Sequence, residues 1–339
     1  MRSKMPLAVI DLGTNTVRLL VAQPDGRGGY RSLFADQEIT RLGQGLLPDR
    51  TLQPEPIHRT LRVLRRFRKE AEARGVVRTL AVGTSALREA TNRDTFLARA
   101  RDEAGVEVFV VSGEEEAQFT LLGVRAALAD APGRFLMMDI GGGSTEFLDA
   151  DGTAILAMVS TGLGVVKLTE TYLKADPPTE AELAAARQAV ASRLTRVLAE
   201  ELRDYSPRDP FVGTAGTVTT LAAIDLRLDP YDPDRVTGHE ITRDRVAALL
   251  RKLASLPLAD RRKISGLEPA RADVIVAGAL ICLAVMDRLG FARLMVSDGG
   301  LREGILLDLI QRLPTAGACR FPRRPRPHRG PGRTSGQET

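Results

Sequence analysis

The sequence predicts an α/β protein made of two similar domains that share a cleft. Its length of 339 residues is enough for two domains, each with its own hydrophobic core. Predicted strands and helices alternate along the chain, which favours sheets flanked by helices. One short motif of an acid, a glycine and hydroxyl residues occurs twice, and an internal repeat of this kind indicates a repeated architecture.

The more distinctive copy of the motif lies at residues 135–147. An apolar run leads into Asp139, a Gly-Gly-Gly-Ser-Thr turn follows, and Glu146 precedes a second apolar run. Glycine fits tight turns easily, and successive unhindered N–H groups with hydroxyls beside them can cradle a phosphate. Two carboxylates next to such a cradle suit a hard divalent cation, which prefers oxygen ligands. Taken alone, a triple-glycine turn also fits an ordinary hairpin.

The other copy of the motif lies at residues 9–19 and aligns with residues 137–147 without a gap. The matched pairs are Asp11 with Asp139, Gly13 with Gly141, Thr16 with Ser144, and Arg18 with Glu146. We therefore expect each domain to offer one phosphate-binding hairpin to the shared cleft.

The first part of the chain is predicted to contain one hairpin, three further strands and three helices. The long helix has apolar residues at helical spacing, beginning with Ile57, Leu61 and Leu64. The last of the three helices begins with Ser112-Gly-Glu-Glu115, the spacing of a capping box. The predicted ranges are 7–22 for the hairpin, 30–35, 76–82 and 106–111 for the strands, and 55–74, 92–104 and 112–128 for the helices.

The second part is predicted to contain five strands and six helices. Glycine-rich turns separate a strand from a helix at residues 213–217 and again at 298–300. The apolar run at 274–286 indicates a buried helix. The predicted strands are 135–140, 144–149, 154–160, 211–213 and 293–296, and the helices are 165–173, 179–204, one beginning at 217, 242–255, 270–289 and 301–313.

The composition argues against several classes of protein. Two cysteines, Cys282 and Cys319, do not make a disulfide framework, so a reduced, cytoplasmic compartment is predicted. The longest apolar run, 274–286, is too short to span a bilayer, so no membrane partner is expected. The three histidines are widely spaced and have no cysteine at a ligand spacing, so no zinc site is predicted.

The formal net charge of +5 arises in the C-terminal segment. Residues 314–339 carry six arginines and one acid, so the rest of the chain is neutral. This segment is rich in proline, glycine and arginine and is predicted to be a disordered tail. Its charge predicts non-specific adsorption to polyanions.

Both hairpins resemble the phosphate motifs of the actin, sugar-kinase and heat-shock-chaperone ATPase superfamily. Within it, the chain resembles the exopolyphosphatase/guanosine pentaphosphate phosphatase family over residues 6–313. The matching segments, in family order, are 11–16, 83–88, 112–117, 139–146, 213–217, 271–273 and 297–304. The resemblance implies two actin-like (ribonuclease H-like) domains, each a mixed sheet flanked by helices, with a cleft between them. Their predicted bounds are 1–130 plus 301–313 for the first domain and 131–300 for the second.

The resemblance implies an exopolyphosphatase that hydrolyses terminal phosphoanhydride bonds of inorganic polyphosphate. It implies Mg²⁺ as the cofactor, with Mn²⁺ as the alternative cation. The chain stops before the extra C-terminal helical domains of the longest family members, which favours short polyphosphate. Two alternative functions remain: hydrolysis of the 5′-terminal phosphate of guanosine pentaphosphate, and non-catalytic ligand sensing. A homodimer is one alternative for the oligomeric state.

The resemblance assigns the activation of water to Glu116 and the holding of magnesium to Asp139 and Glu146. The capping box supports the first assignment, because it uses Glu115 at the helix N-terminus and leaves Glu116 free to reach the cleft. The alternative is that these acids only complement the helix dipole. The presence of all three carboxylates argues against non-catalytic ligand sensing, which does not need all three.

The predicted phosphate ligands are the hairpin residues and two arginines, whose planar guanidinium groups can bind phosphate oxygens bidentately. The alternative role for each of these two arginines is a surface ion pair. The set is Asp11, Gly13, Thr14, Asn15, Thr16, Arg18, Arg88, Gly141, Gly142, Gly143, Ser144 and Thr145. Weaker candidates, for which structural roles are about as plausible, are Thr84, Ser85, Lys167, Gly213, Thr214, Gly216, Arg271 and Arg302. The segment 213–217 matches the adenosine segment of the superfamily, and its alternative role is to shape the cleft.

Overall fold

The computed structural model describes residues 5–128, 133–201 and 210–312, without the side chains of 197–201. The predicted tail at 314–339 and the predicted domain boundary at residue 130 lie outside the described residues. Within the described ranges, no helix is both long and apolar enough to cross a bilayer.

The first sheet has five strands in the spatial order 3-2-1-4-5. They are β1 (Leu7–Leu12), β2 (Thr16–Pro24), β3 (Tyr30–Ile39), β4 (Arg78–Gly83) and β5 (Val108–Val110). The first three form an antiparallel meander, whereas β4 runs parallel to β1 and β5 runs parallel to β4. The helices of this part are α1 (Pro54–Ala73), α2 (Ser85–Glu89), α3 (Arg93–Ala104) and α4 (Gly113–Ala127).

The second sheet has six strands. They are β6 (Arg134–Ile140), β7 (Thr145–Asp151), β8 (Ala154–Ser160), β9 (Phe211–Thr214), β10 (Glu240–Thr242) and β11 (Arg293–Val296). The helices are α5 (Val165–Tyr172), α6 (Glu180–Glu201), α7 (Ala215–Leu226), α8 (Pro233–Val236), α9 (Arg243–Ser255), α10 (Leu258–Arg261), α11 (Ile275–Leu289) and α12 (Leu301–Gln311), with a 3₁₀ helix at Pro269–Arg271.

The two sheets repeat one topology. The order β8-β7-β6-β9-β11 reproduces β3-β2-β1-β4-β5, again as an antiparallel meander followed by parallel strands, and β10 is an additional edge strand. This repetition confirms the predicted pair of mixed sheets flanked by helices.

Each sheet has its own hydrophobic core. In the first, the apolar face of α1, which includes Ile57, Leu61 and Leu64, packs with Phe96 of α3 against the strands. In the second, α11 is buried over most of its length, which explains its almost continuous apolar sequence. The apolar run at 274–286 is therefore a core helix, as predicted.

The predicted elements all occur among the described residues, with shifted ends, and several short elements were missed. The predicted ends of the helices 179–204 and 301–313 lie outside the described residues. Helix α11 begins at Ile275, later than predicted, because the 3₁₀ helix at Pro269–Arg271 precedes it. Helix α7 begins at Ala215, before the predicted start at residue 217. The missed elements are α2, α8, α10 and β10, which contain three to five residues and are too short to show a period.

Two helices are exchanged between the sheets. Helix α4 follows the first sheet in sequence but packs against the second, where Leu121 and Val124 contact Phe135 and its neighbours. Helix α12 follows the second sheet but packs against the first through residues such as Ile305. The two helices therefore cross between the domains and connect them mechanically.

Glycines permit this crossing. A Cβ atom on Gly304 of α12 would overlap the carbonyl oxygen of Phe119 in α4, and one on Gly123 of α4 would overlap the carbonyl oxygen of Gly300. Both obstacles are backbone atoms, so neither can be relieved by a side-chain rotation.

We expect Gly304→Ala to lower the free energy of unfolding by about 3 kcal/mol, because the methyl group must separate two tightly packed helices. Gly113→Ala is the matched control, since a Cβ atom on Gly113 of α4 meets no heavy atom within 4 Å. Urea unfolding of both variants measures the difference. Equal stability of the two variants would show that α4 and α12 can accommodate the added methyl group without loss of stability.

Candidate active site

A cavity of about 110 Å³ lies between the two sheets, and residues of both domains line it. The three predicted catalytic residues, Glu116, Asp139 and Glu146, all line this cavity. So do ten of the twelve predicted phosphate ligands: Asp11, Gly13, Thr14, Asn15, Thr16, Arg18, Gly141, Gly142, Gly143 and Ser144. Of the weaker candidates, the cavity includes Thr84, Ser85, Thr214, Gly216 and Arg271.

The two hairpins have the same geometry. Across β1 and β2, Asp11 lies opposite Arg18, and across β6 and β7, Asp139 lies opposite Glu146. In the first turn the N–H of Gly13 donates to the carbonyl of Thr16 at 3.0 Å, and in the second that of Gly141 donates to Ser144 at 2.9 Å. The gap-free sequence repeat is therefore a repeat of strand register and turn hydrogen bonding.

The turns of the two hairpins touch across the cleft. A Cβ atom on Gly142 would lie 3.1 Å from the Cβ of Thr14 and 3.2 Å from the backbone N of Asn15. A Cβ atom on Gly143 would lie 2.7 Å from Ser85 Oγ. Glycine is needed here for this close approach, which brings the amide groups of both turns to one cavity.

Four carboxyl groups gather around the cavity and are held away from water. Burial raises the pKa of Asp11 to about 6, although Arg18 opposes the shift. Burial, together with the charge of Glu116, raises the pKa of Glu146 to about 7. Burial and the charge of Glu146 raise the pKa of Asp139 well above its usual value. The site therefore concentrates negative charge that nearby arginines only partly offset, which favours binding of a cation.

Glu116 is positioned by the start of α4. The capping box forms as predicted: the N–H of Ser112 donates to Glu115 Oε2 at 2.8 Å, and the N–H of Glu115 donates to Ser112 Oγ at 3.1 Å. Glu116 is thus free to face the cavity, where its carboxylate forms an ion pair with Arg88. Burial raises the pKa of Glu116, and Arg88 opposes this shift.

The predicted phosphate-binding cations differ in their surroundings. Arg18 lines the cavity and has no side-chain hydrogen bond or ion pair with any other described residue. Arg88 is engaged by Glu116 and by the carbonyl of Val111, to which it donates at 3.2 Å, and it does not line the cavity. Of the two predicted phosphate-binding arginines, Arg18 is therefore the one available to a phosphate in the cavity.

The weaker cationic candidates are all paired. Lys167 contacts Glu89 at 3.0 Å, Arg271 contacts Glu268 at 2.9 Å, and Arg302 contacts Glu303 at 2.6 Å. The guanidinium of Arg271 also lies directly over Gly216, where a Cβ atom would overlap it.

The sequence pattern of the Ppx/GppA phosphatase family matches residues 20–313. The chain belongs to this family. The match begins within β2 and extends past α12, so it includes Glu116, the second hairpin and the crossing helices.

Relatives of this Ppx/GppA protein include enzymes and solved structures. Exopolyphosphatase 2 of Mycobacterium tuberculosis is 32% identical over 315 residues, which cover 89% of this chain and 98% of that protein. The Ppx/GppA family member of Aquifex aeolicus is 35% identical, with a TM-score of 0.75 over 91% of this chain and 98% of that one. An exopolyphosphatase from Cytophaga hutchinsonii is 27% identical, with a TM-score of 0.80 over 91% and 99% of the two chains.

Two further candidates lie behind the cavity wall of this Ppx/GppA protein. The hydroxyl of Thr145 donates to the carbonyl of Leu163 at 2.6 Å, inside the second domain. Gly213 belongs to β9, and a Cβ atom there would press on Leu294 at 2.9 Å. Neither residue lines the cavity.

Some residues around the site gave no signal in the sequence. Ser160 Oγ donates to Glu146 Oε1 at 2.8 Å, because β8 places Ser160 opposite Glu146. Ala215 lines the cavity with a left-handed φ of 67°, at the sharp junction of β9 and α7. Both depend on strand pairing or backbone conformation, which an isolated serine or alanine does not reveal.

The donor set of the Ppx/GppA site fits a cation that is shared with phosphate. Among the described residues, no group of three or more His, Cys, Asp or Glu side chains is arranged to hold a metal by itself. However, Asp11 Oδ1 is buried without a hydrogen-bond partner, and such an atom is costly unless a ligand satisfies it. Magnesium commonly uses one or two carboxylates together with water and substrate phosphates. The cavity meets this requirement.

Proposed function

We propose that the protein is an exopolyphosphatase, which hydrolyses the terminal phosphoanhydride bond of inorganic polyphosphate and releases orthophosphate. The observation that carries the proposal is the meeting of two equivalent phosphate hairpins at one cavity that also contains four carboxyl groups. This arrangement, with a phosphate-binding turn on each side of the cavity and carboxyl groups beside the turns, suits phosphoryl transfer to water. The likeness to exopolyphosphatase 2 over 98% of that protein supports the same reaction.

In this proposal the turn amides and Arg18 bind the terminal phosphates, and Glu116 accepts a proton from the attacking water. Its raised pKa makes the Glu116 carboxylate a stronger proton acceptor than an ordinary glutamate. Arg88 holds the Glu116 carboxylate in one orientation. Asp139 and Glu146 would hold Mg²⁺, or Mn²⁺ as the alternative, and the cation would neutralise charge on the phosphate oxygens. Positioning and charge stabilisation are the main needs of this chemistry.

Guanosine pentaphosphate is the second candidate substrate, because Thr214, Gly216 and Thr217 line the cavity and can contact a nucleoside attached to the phosphates. Orthophosphate release should be measured on short polyphosphate and on guanosine pentaphosphate with the same enzyme preparation and magnesium concentration. The proposal expects a higher kcat/KM for polyphosphate. A higher value for guanosine pentaphosphate would assign the protein to the second activity.

We also propose a cytoplasmic location, supported by the buried free thiol of Cys282. Non-specific attraction of polyanions by residues 314–339 belongs to the same proposal, because that segment contains six arginines and one acid.

The rate at limiting magnesium should rise with pH between about 6 and 8. The pKa values of Asp11 and Glu146 are raised to about 6 and about 7, so both acids hold protons below this range and must lose them before a cation binds. Because the metal competes with these protons, a higher magnesium concentration should move the acid side of the profile to lower pH. Rates measured over pH at two magnesium concentrations test this. If the rate fell at the same low pH at both magnesium concentrations, competition between protons and magnesium would be contradicted.

A further inference from the structure

A hydrogen-bonded chain of three side chains joins the domains beside the cavity. The hydroxyl of Ser85 donates to Glu89 Oε1 at 3.0 Å, and Lys167 Nζ donates to both carboxylate oxygens of Glu89 at 3.0 Å. Ser85 and Glu89 lie on α2 of the first domain, whereas Lys167 lies on α5 of the second. Glu89 is therefore the centre of a contact between the domains.

The hydrogen bond between Ser85 and Glu89 determines the hydrogen-bonding role of Ser85. A serine hydroxyl has one proton, and here that proton is given to Glu89. Any further partner of Ser85 Oγ must therefore be a hydrogen-bond donor or a cation. Phosphate oxygens are acceptors, so the arrangement opposes the phosphate-binding role predicted for Ser85. A water molecule, in contrast, can donate to it.

The position of α2 connects Ser85 to the proposed base. Ser85 is 6% exposed, lines the cavity and lies against the Gly142-Gly143 turn. Arg88 and Glu89 are consecutive on α2: Arg88 pairs with Glu116, and Glu89 accepts from Ser85. One short helix thus holds two oxygen acceptors, on Ser85 and Glu116, at the same cavity.

We propose that Glu89 is a positioning residue that keeps Ser85 Oγ available as an acceptor for one hydrogen of the attacking water, while Glu116 takes the other. This inference rests on the proposed hydrolytic function. Lys167 neutralises Glu89 and ties its orientation to the second domain, so the water is held correctly only when α2 and α5 are in contact.

The test is steady-state hydrolysis of short polyphosphate by Glu89→Ala, Glu89→Gln, Ser85→Ala and the double variant Glu89→Ala/Ser85→Ala. We expect Glu89→Ala and Ser85→Ala each to lose about tenfold in kcat, with no increase in KM, because one hydrogen bond to the reacting water is lost. Glu89→Gln should stay within about threefold of the wild-type kcat, since its amide oxygen still accepts from Ser85. The double variant should be no slower than Ser85→Ala, because the two residues act through one bond.

A role in stability alone predicts different results. It expects Glu89→Gln, which loses the ion pair with Lys167, to resemble Glu89→Ala, and it expects the losses in the double variant to multiply. Either result would overturn the inference, as would a raised KM for Ser85→Ala, which indicates a phosphate donor. If Glu89→Ala does not fold, Ser85→Ala and Glu89→Gln still decide between these outcomes.

Glu103→Ala is the matched control, because Glu103 is likewise an ion-paired glutamate, but its partners Arg65 and Arg99 do not line the cavity, whereas Ser85 does. It should keep the wild-type kcat and KM. Wild-type enzyme that releases no phosphate from polyphosphate would overturn the proposed function and this inference together. Active wild type with unaffected Glu89 variants would overturn the inference alone.

Discussion

Glu116→Gln should lower kcat on polyphosphate by about a hundredfold or more and leave substrate binding intact. Glutamine keeps the size of the side chain and a hydrogen-bond acceptor for Arg88, but it cannot take a proton from water. Binding should survive because the change removes a negative charge next to a polyanionic substrate. The measurements are kcat and the dissociation constant for polyphosphate, at fixed salt concentration.

Glu115→Gln is the matched control for this variant. Glu115 precedes Glu116 on α4 but is used in the capping box, and an amide oxygen can still accept from the Ser112 N–H. We expect a small loss of stability and little change in kcat. Equal losses of kcat at the two positions would mean that the acids act together, and a larger loss at Glu115 would remove Glu116 as the base.

Asp139→Asn and Glu146→Gln should each reduce hydrolysis by about a hundredfold, because each removes a charge that we propose to hold magnesium. Excess magnesium should partly restore the rate of at least one variant, since a weakened site is refilled by mass action. The rates should be measured over a wide range of magnesium concentrations. Asp151→Asn is the control, because Asp151 lies at the exposed far end of β7.

The metal assignment has a clear negative outcome. If both variants kept near-normal rates, and EDTA did not reduce the rate of the wild type, Asp139 and Glu146 would have no role in holding a cation. Loss of activity without any response to added magnesium would instead indicate that these acids maintain the geometry of the hairpin.

Local sequence patterns predicted much of the fold. The repeated hairpin is visible because its turn needs glycine and its Asp and hydroxyl residues recur at one offset, and the structure reproduces the repeat as matching strand register. The capping box at Ser112 was equally predictable, since its two hydrogen bonds join residues three apart. In both cases the determining interactions lie within a few residues of each other.

The remainder depends on contacts between distant parts of the chain. The exchange of α4 and α12 between the sheets cannot be inferred from either helix alone, because both have apolar faces that fit any sheet. The pairing of Arg88 with Glu116 and of Glu89 with Lys167 requires the folded arrangement of the domains. Arg88 was predicted to bind phosphate directly, whereas the structure places it against the proposed base.

The most direct test of the central claim is a time course of polyphosphate hydrolysis followed by ³¹P NMR. The spectrum separates orthophosphate, terminal phosphate and internal phosphate of the same chains. Release of terminal phosphate predicts that orthophosphate grows as internal phosphate falls, while the amount of terminal phosphate stays constant until the chains become very short. An early increase in terminal phosphate would mean that chains are cut internally, and an unchanged spectrum would mean that polyphosphate is not the substrate.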